Sequence, residues 1–179
     1  MTTAPAPSDL WVFGYGSLMW RPGFASLERH RALLRGWRRR LCVYSHVYRG
    51  TAERPGLVLG LDQGGACRGV AFRVEAVHAE ATLRYLRERE LVTAIYLERV
   101  APISLDDGRR VSAVTYLADR RHSQYAPPMA RETLLQLVRQ GVGRSGPNAE
   151  YVLNTRDHLH GLGILDAELE WLADQLRAA

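Results

Sequence analysis

A chain of 179 residues is the size of a single domain, long enough to bury roughly two-thirds of its unfolded surface around one core. Its apolar share of 46% and charged share of 24% exclude a disordered chain, and no apolar run reaches the ~18 residues of a membrane-crossing helix. The net charge of +5 comes from 24 arginines and no lysine, and two cysteines are too few for a disulfide-stapled scaffold, so Cys42 and Cys67 are expected to be buried thiols.

Residues 1–9 are expected to form a flexible tail. The first eight carry neither a basic region nor an apolar stretch of the kind that marks a secretory signal, which points to a cytoplasmic protein. Residues 10–179 are expected to fold as one domain. Strands are predicted over 10–15, 32–45, 57–61 and 67–74, separated by turn signals at Arg49-Gly50, Arg54-Pro55-Gly56 and Gln63-Gly64-Gly65. The period becomes helical over 79–90. It returns to strand over 94–105 and 110–117, around the hairpin turn Asp106-Asp107-Gly108. Three amphipathic helices follow over 129–140, 149–160 and 167–176, with Asn148 and Asp166 as N-caps and Gly141 and Gly161 as stops. Strands first and helices later give an α+β fold: a small curled mixed sheet or barrel, one central helix between strands, and C-terminal helices.

The excess of arginine invites a nucleic-acid reading. The densest cluster, Arg35 with Arg38-Arg39-Arg40, lies in a segment alternating toward Leu41 and Val43, with no aromatic platform at stacking spacing. No nucleic-acid partner is therefore expected; a positive surface attracts a small anionic peptide equally well. His30, His46, His78, His122, His158 and His160 show no spacing typical of zinc ligands, so no metal is expected.

The segment Val12-Phe13-Gly14-Tyr15-Gly16-Ser17-Leu18 sets two glycines and a serine directly after an apolar strand. There the backbone can turn sharply and present several N–H groups in one concavity, as proteins do for carboxylates and phosphates. A dinucleotide fingerprint would need glycine where Met19 stands, and a nucleophile elbow would need it where Tyr15 stands. On shape alone the segment reads first as an ordinary β-turn with two permissive glycines. Ser17 has no base partner nearby in sequence and reads as a loop hydrogen-bonder, not a nucleophile.

Val-Phe-Gly-Tyr-Gly-Ser-Leu-Met-Trp at 12–20 resembles the signature of the ChaC branch of the γ-glutamylcyclotransferases. Five further segments follow in the family's order: Gly36-Trp37-Arg38-Arg39, Gly69-Val70-Ala71-Phe72, Tyr85-Leu86-Arg87-Glu88-Arg89-Glu90, Arg121-His122-Ser123-Gln124-Tyr125 and Gly146-Pro147-Asn148-Ala149-Glu150-Tyr151. The resemblance implies that the loop over Val12 to Leu18 binds the γ-glutamyl group through backbone atoms and that Glu90 is the general acid/base. It implies that Tyr125 lies near the substrate and that no cofactor is used. The implied reaction cleaves glutathione to 5-oxo-L-proline and L-cysteinylglycine. After Glu90 the sequence runs Leu91-Val92-Thr93-Ala94-Ile95-Tyr96, similar to bacterial members and unlike the glycine-rich stretch of animal ones. Other γ-glutamyl peptides or γ-glutamylamines thus stay open as substrates, as does a non-catalytic member that binds a small anion or a partner.

The residues themselves also distinguish Glu90. On a helix over 79–90 it shares a stripe with Leu83 and Leu86, whereas Glu88 projects with Ala81 and Arg84. A carboxylate on an apolar stripe is disfavoured unless it is paired or has its pKa raised, and a base working near neutral pH needs a raised pKa. The plain alternative is a helix-end glutamate paired with Arg87 or Arg89. For Tyr125, in a loop stiffened by Pro127 and Pro128, the plain alternative is a tyrosine capping the edge of the core.

Overall fold

The computed structural model describes residues 8–178. Strand β1 (Leu10–Gly14) runs into a 3-10 turn (Ser17–Met19) and is followed by two long strands, β2 (Glu28–Ser45) and β3 (Gly56–Val74). A second 3-10 turn (Ala76–His78) leads into helix α1 (Ala79–Glu90). After it come β4 (Tyr96–Leu105), β5 (Arg110–Ala118), α2 (Arg131–Gln140), the short hairpin β6 (Val142–Gly143) and β7 (Gly146–Pro147), α3 (Asn148–Gly161) and α4 (Ala167–Arg177). The fold is mixed α+β with the expected barrel. Its strands follow the order β1-β3-β2-β4-β5. β1 lies antiparallel to β3 from Leu10 opposite Val74 to Gly14 opposite Val70, and the barrel closes where Val12 meets Val114 of β5 in parallel.

Of the expected tail, residues 1–7 lie outside the described residues. The Asp9 carboxylate accepts a hydrogen bond from the Ala76 amide at 3.0 Å. The two strands expected at 57–61 and 67–74 are one strand, β3. Gly64 and Gly65 adopt φ of 103° and 68°, so Gln63-Gly64-Gly65 bends a continuing strand instead of ending it. Gly161 is the last residue of α3 and not its stop; the chain leaves through Leu162 and the left-handed Gly163. Asp166 caps α4 as expected, accepting from the Leu169 amide at 3.3 Å. Asn148 does not cap α3. It is fully buried, and its side chain pairs both ways with the Leu57 backbone, each hydrogen bond 2.7 Å, as a neighbouring strand would.

The chain divides into two compact units, the first built from residues up to Trp37 and Gly64–Leu117, the second from Arg38–Gln63 and Ala118 onward. In the first, Val12, Leu18, Val74, Leu86, Val114 and Tyr116 form a buried cluster, with Leu10, Phe24, Leu83, Tyr85, Leu91 and Tyr96 packed against it. Each large apolar side chain buried there contributes roughly 1.5–3 kcal/mol. Through Leu83 and Leu86, α1 lies on this cluster. In the second unit, α2, α3 and α4 bury Leu134, Val138, Val152, Leu159, Leu169 and Leu172. Cys42 and Cys67 are buried free thiols; burial pushes the Cys42 thiol up to about 12, which keeps it protonated and inert.

Candidate active site

Helix α1 forms where the sequence offers strong helix formers, with Glu80 in its first turn and Arg87 and Arg89 in its last, each favourable to the helix dipole. Glu90, its final residue, is an exception to that charge pattern. Four positions after the fully buried Leu86, its side chain keeps 18% of its exposure, whereas Glu88 faces solvent. Burial pushes the Glu90 carboxyl above its ordinary value, and the nearby Arg89 guanidinium pulls it back only in part.

The loop after β1 is organised differently from a ring of side chains around a ligand. Val12, Phe13, Tyr15 and Leu18 are buried, and the Phe13 carbonyl accepts from the Thr115 hydroxyl at 3.1 Å. Gly14 is buried, Gly16 half-buried and Ser17 exposed. The Met19 amide donates to the Gly16 carbonyl at 2.9 Å, closing the turn; the amides of Ser17 and Leu18 open it and have no partner within it. What this loop can offer a ligand is therefore backbone and the Ser17 hydroxyl. β3 passes so close behind it that a side chain at Gly69 would run into the Gly14 carbonyl.

Arg89 connects these two features. Its Nη2 donates to Ser17 Oγ at 2.7 Å, its Nη1 to the Arg21 carbonyl at 2.7 Å and to the Tyr85 hydroxyl at 3.0 Å. Its Nε lies 3.3 Å from a Glu90 carboxylate oxygen. The pairing of Glu90 with Arg89 named as the plain alternative is thus present, together with burial that a rim pair would lack. Behind Glu90, the buried Tyr116 donates to Glu98 at 3.1 Å, and Arg87 grips Glu98 with two hydrogen bonds of 2.7 and 2.9 Å. Arg87 holds the Glu98 carboxyl below its ordinary range, while burial first, then the charges of Glu98 and Glu90, push Tyr116 well up.

Tyr125 belongs to the second unit. Its hydroxyl donates to Asp62 at 3.1 Å, beside Arg40 at 2.6 Å and Arg120 at 2.7 Å from the same carboxylate. Sequence reasoning missed Asp62, Glu98, Tyr116 and the fork of Arg89. One signal was available: Asp62 is a lone acid ending the apolar run Leu57-Val58-Leu59-Gly60-Leu61. Among the described residues, no three His, Cys, Asp or Glu side chains come together as a metal site, and no helix is long and apolar enough to cross a membrane.

A five-stranded mixed barrel whose first strand ends in a glycine-rich turn, tied by an arginine to a half-buried glutamate, defines a small α+β protein with a polar site beside the turn that follows its first strand. A family model described as ChaC-like protein matches residues 10–179, and the chain belongs to that family. The chain is 37% identical to the glutathione-specific gamma-glutamylcyclotransferase of Escherichia coli, over 90% of its length and 70% of that protein's. It is 33% identical to glutathione-specific gamma-glutamylcyclotransferase 1 of Homo sapiens, over 88% and 72% of the two chains. A crystal structure of a gamma-glutamyl cyclotransferase specific to glutathione from yeast superposes with a TM-score of 0.83 over 96% of each chain at 21% identity, which establishes the shared fold.

Proposed function

We propose that this protein is a γ-glutamylcyclotransferase that cleaves glutathione to 5-oxo-L-proline and L-cysteinylglycine in the cytoplasm, with residues 10–179 working as one domain. The observation that carries the reading is Glu90: a carboxyl whose proton affinity is raised by burial, joined through one arginine to a turn rich in backbone donors. Membership of the ChaC-like family and relatives named for glutathione support the choice of substrate.

In a γ-glutamyl peptide, nucleophile and electrophile are already in one molecule. The α-amino nitrogen forms a bond to the γ-carbonyl carbon, closing a five-membered ring, and the bond from that carbon to the cysteinyl nitrogen breaks. Glu90 takes a proton from the α-ammonium and returns it to the departing nitrogen, while the second proton that the ring nitrogen sheds on closure passes to the released amine, which leaves as an ammonium; such a role is worth ~10²–10⁴-fold for a well-placed acid/base. The amides of the turn at Ser17 and Leu18 hold the oxygen that gains negative charge, each such donor typically worth about 3 kcal/mol. Folding the substrate into its attack geometry supplies much of the remaining acceleration. No step needs a metal or a cofactor. The assignment of Tyr125 as a substrate contact rests on the resemblance alone.

Purified protein incubated separately with glutathione, oxidised glutathione and γ-glutamyl-alanine, with 5-oxoproline quantified, tests this reading. Glutathione is expected to yield it fastest. Release from γ-glutamyl-alanine at an equal rate would make the enzyme a general γ-glutamyl peptide cyclotransferase, and release from none of the three leaves a non-catalytic binder. Tyr125→Phe in the same assay reads the tyrosine separately.

A further inference from the structure

The arrangement around Arg89 has a directional consequence. A guanidinium carries donors and no acceptor, so Ser17 Oγ, 2.7 Å from Nη2, must accept. The Ser17 hydroxyl proton is then committed outward, on an exposed residue, and the cation polarises it. The same guanidinium holds the Arg21 carbonyl at the far end of the turn and stands against the Glu90 carboxylate, so a single planar group fixes the position of the turn and the environment of Glu90 together. Lysine could not reproduce this, because a compact ammonium has three donors on one atom whereas the guanidinium fork meets four partners, Ser17, Arg21, Tyr85 and Glu90. Tyr85, whose hydroxyl meets Nη1, packs edge-on to Phe24, which holds the guanidinium from the helix side.

We propose that Arg89 is a positioning residue that makes Ser17 an obligate hydrogen-bond donor to an oxygen of the bound γ-glutamyl group and locks the Glu90 carboxylate against the turn. This rests on the cyclotransferase reading. The groups that face Glu90 are Arg89 on its own helix and Tyr116 from β5, the latter with Glu98 and Arg87 behind it. Among the described residues Arg89 is the one cation paired with Glu90, and its removal raises the proton affinity of Glu90 further.

The test uses the full chain as wild type, Arg89→Gln, Arg89→Lys, Ser17→Ala and the double variant Ser17→Ala/Arg89→Gln. Two readouts are taken: kcat and KM for glutathione, and the titration midpoint of Glu90 followed by carbon-13 NMR on glutamate-labelled protein, assigned through Glu90→Gln. Arg89→Gln is expected to lower kcat/KM at least about tenfold, the cost of a misplaced reacting geometry. Adding Ser17→Ala is expected to lower it little more, because the two residues act as one unit. The Glu90 midpoint rises in Arg89→Gln and returns toward wild type in Arg89→Lys, while the loss of kcat/KM persists in Arg89→Lys. Independent, multiplying effects in the double variant, or an unmoved Glu90 midpoint in Arg89→Gln, overturn the proposal. If Arg89→Gln does not fold, Arg89→Lys decides by whether rate is lost with the midpoint kept. If wild type forms no 5-oxoproline, the cyclotransferase reading falls instead, and the NMR midpoint alone judges the contact between Arg89 and Glu90.

Discussion

At the last residue of α1, burial opposes the charge of a carboxylate, and the carbonyl end of the helix acts in the same direction. A folded-state value above the ordinary 4.5 means that the native protein binds a proton there more tightly than the unfolded chain does. The stability that Glu90 contributes is therefore fully present below its unfolded value and is lost as pH rises through its folded value. Glu90→Gln, a neutral near-isostere, is expected to lower the rate of 5-oxoproline formation by ~10²–10⁴-fold. The same variant is expected to melt higher than wild type at neutral pH, a gap that closes as pH falls below the ordinary carboxylate value. A variant that melts lower at neutral pH would show that the charge of Glu90 supports the fold. The position of Glu90 beside Leu86 was legible from helical spacing, because a helix converts sequence offsets directly into faces. The fork of Arg89 was not, since Ser17 and Arg21 lie 72 and 68 residues away in sequence and only the closed barrel brings them near.

Among the elements, α1 was legible to its boundaries: apolar period, helix formers and terminal charges all agree over Ala79–Glu90. β3 was misread because Gly64-Gly65 carries the local signature of a turn, and only pairing on both sides tells a bend in a strand from its end. The exit from α1 was also hidden. Ala94, exposed in the turn after Glu90, takes φ of 56°, the left-handed region that alanine enters at a cost of roughly 1–2 kcal/mol. Its amide closes the turn on the Leu91 carbonyl at 3.2 Å, which lets the chain reverse into β4 while Leu91 stays packed on the core cluster. Ala94→Gly relieves that cost while adding backbone entropy to the unfolded chain, for a net gain of about 0.5–1 kcal/mol. Urea denaturation checks it: the midpoint should rise with an unchanged slope, and a lower midpoint would mean that the turn does not hold this conformation in solution.

For the molecule as a whole, the pH dependence of stability combines two opposed sets of carboxyls. Glu90 and Glu168, both pushed up by burial, weaken the fold as pH rises. Asp62 and Glu98, held down by arginines, weaken it as pH falls. Asp62 is the most consequential of the second set: its side chain is fully buried, and burial alone would raise its value. Hydrogen bonds from Arg120, Arg40 and Tyr125 outweigh that, so its stabilisation is present above the ordinary 3.8 and lost as pH falls through the lower folded value. Removing one member of a buried ion pair leaves the other uncompensated, so Asp62→Asn is expected to cost about 3 kcal/mol at neutral pH. Half-exposed Arg120 can turn to solvent, but Arg40, with 10% side-chain exposure, cannot. Protonated aspartic acid and asparagine are nearly equivalent to Arg40, so the stability curves of wild type and variant should converge as pH drops below 3.8. A gap that stays constant across that range would place the role of Asp62 in packing and neutral hydrogen bonds, not in its charge.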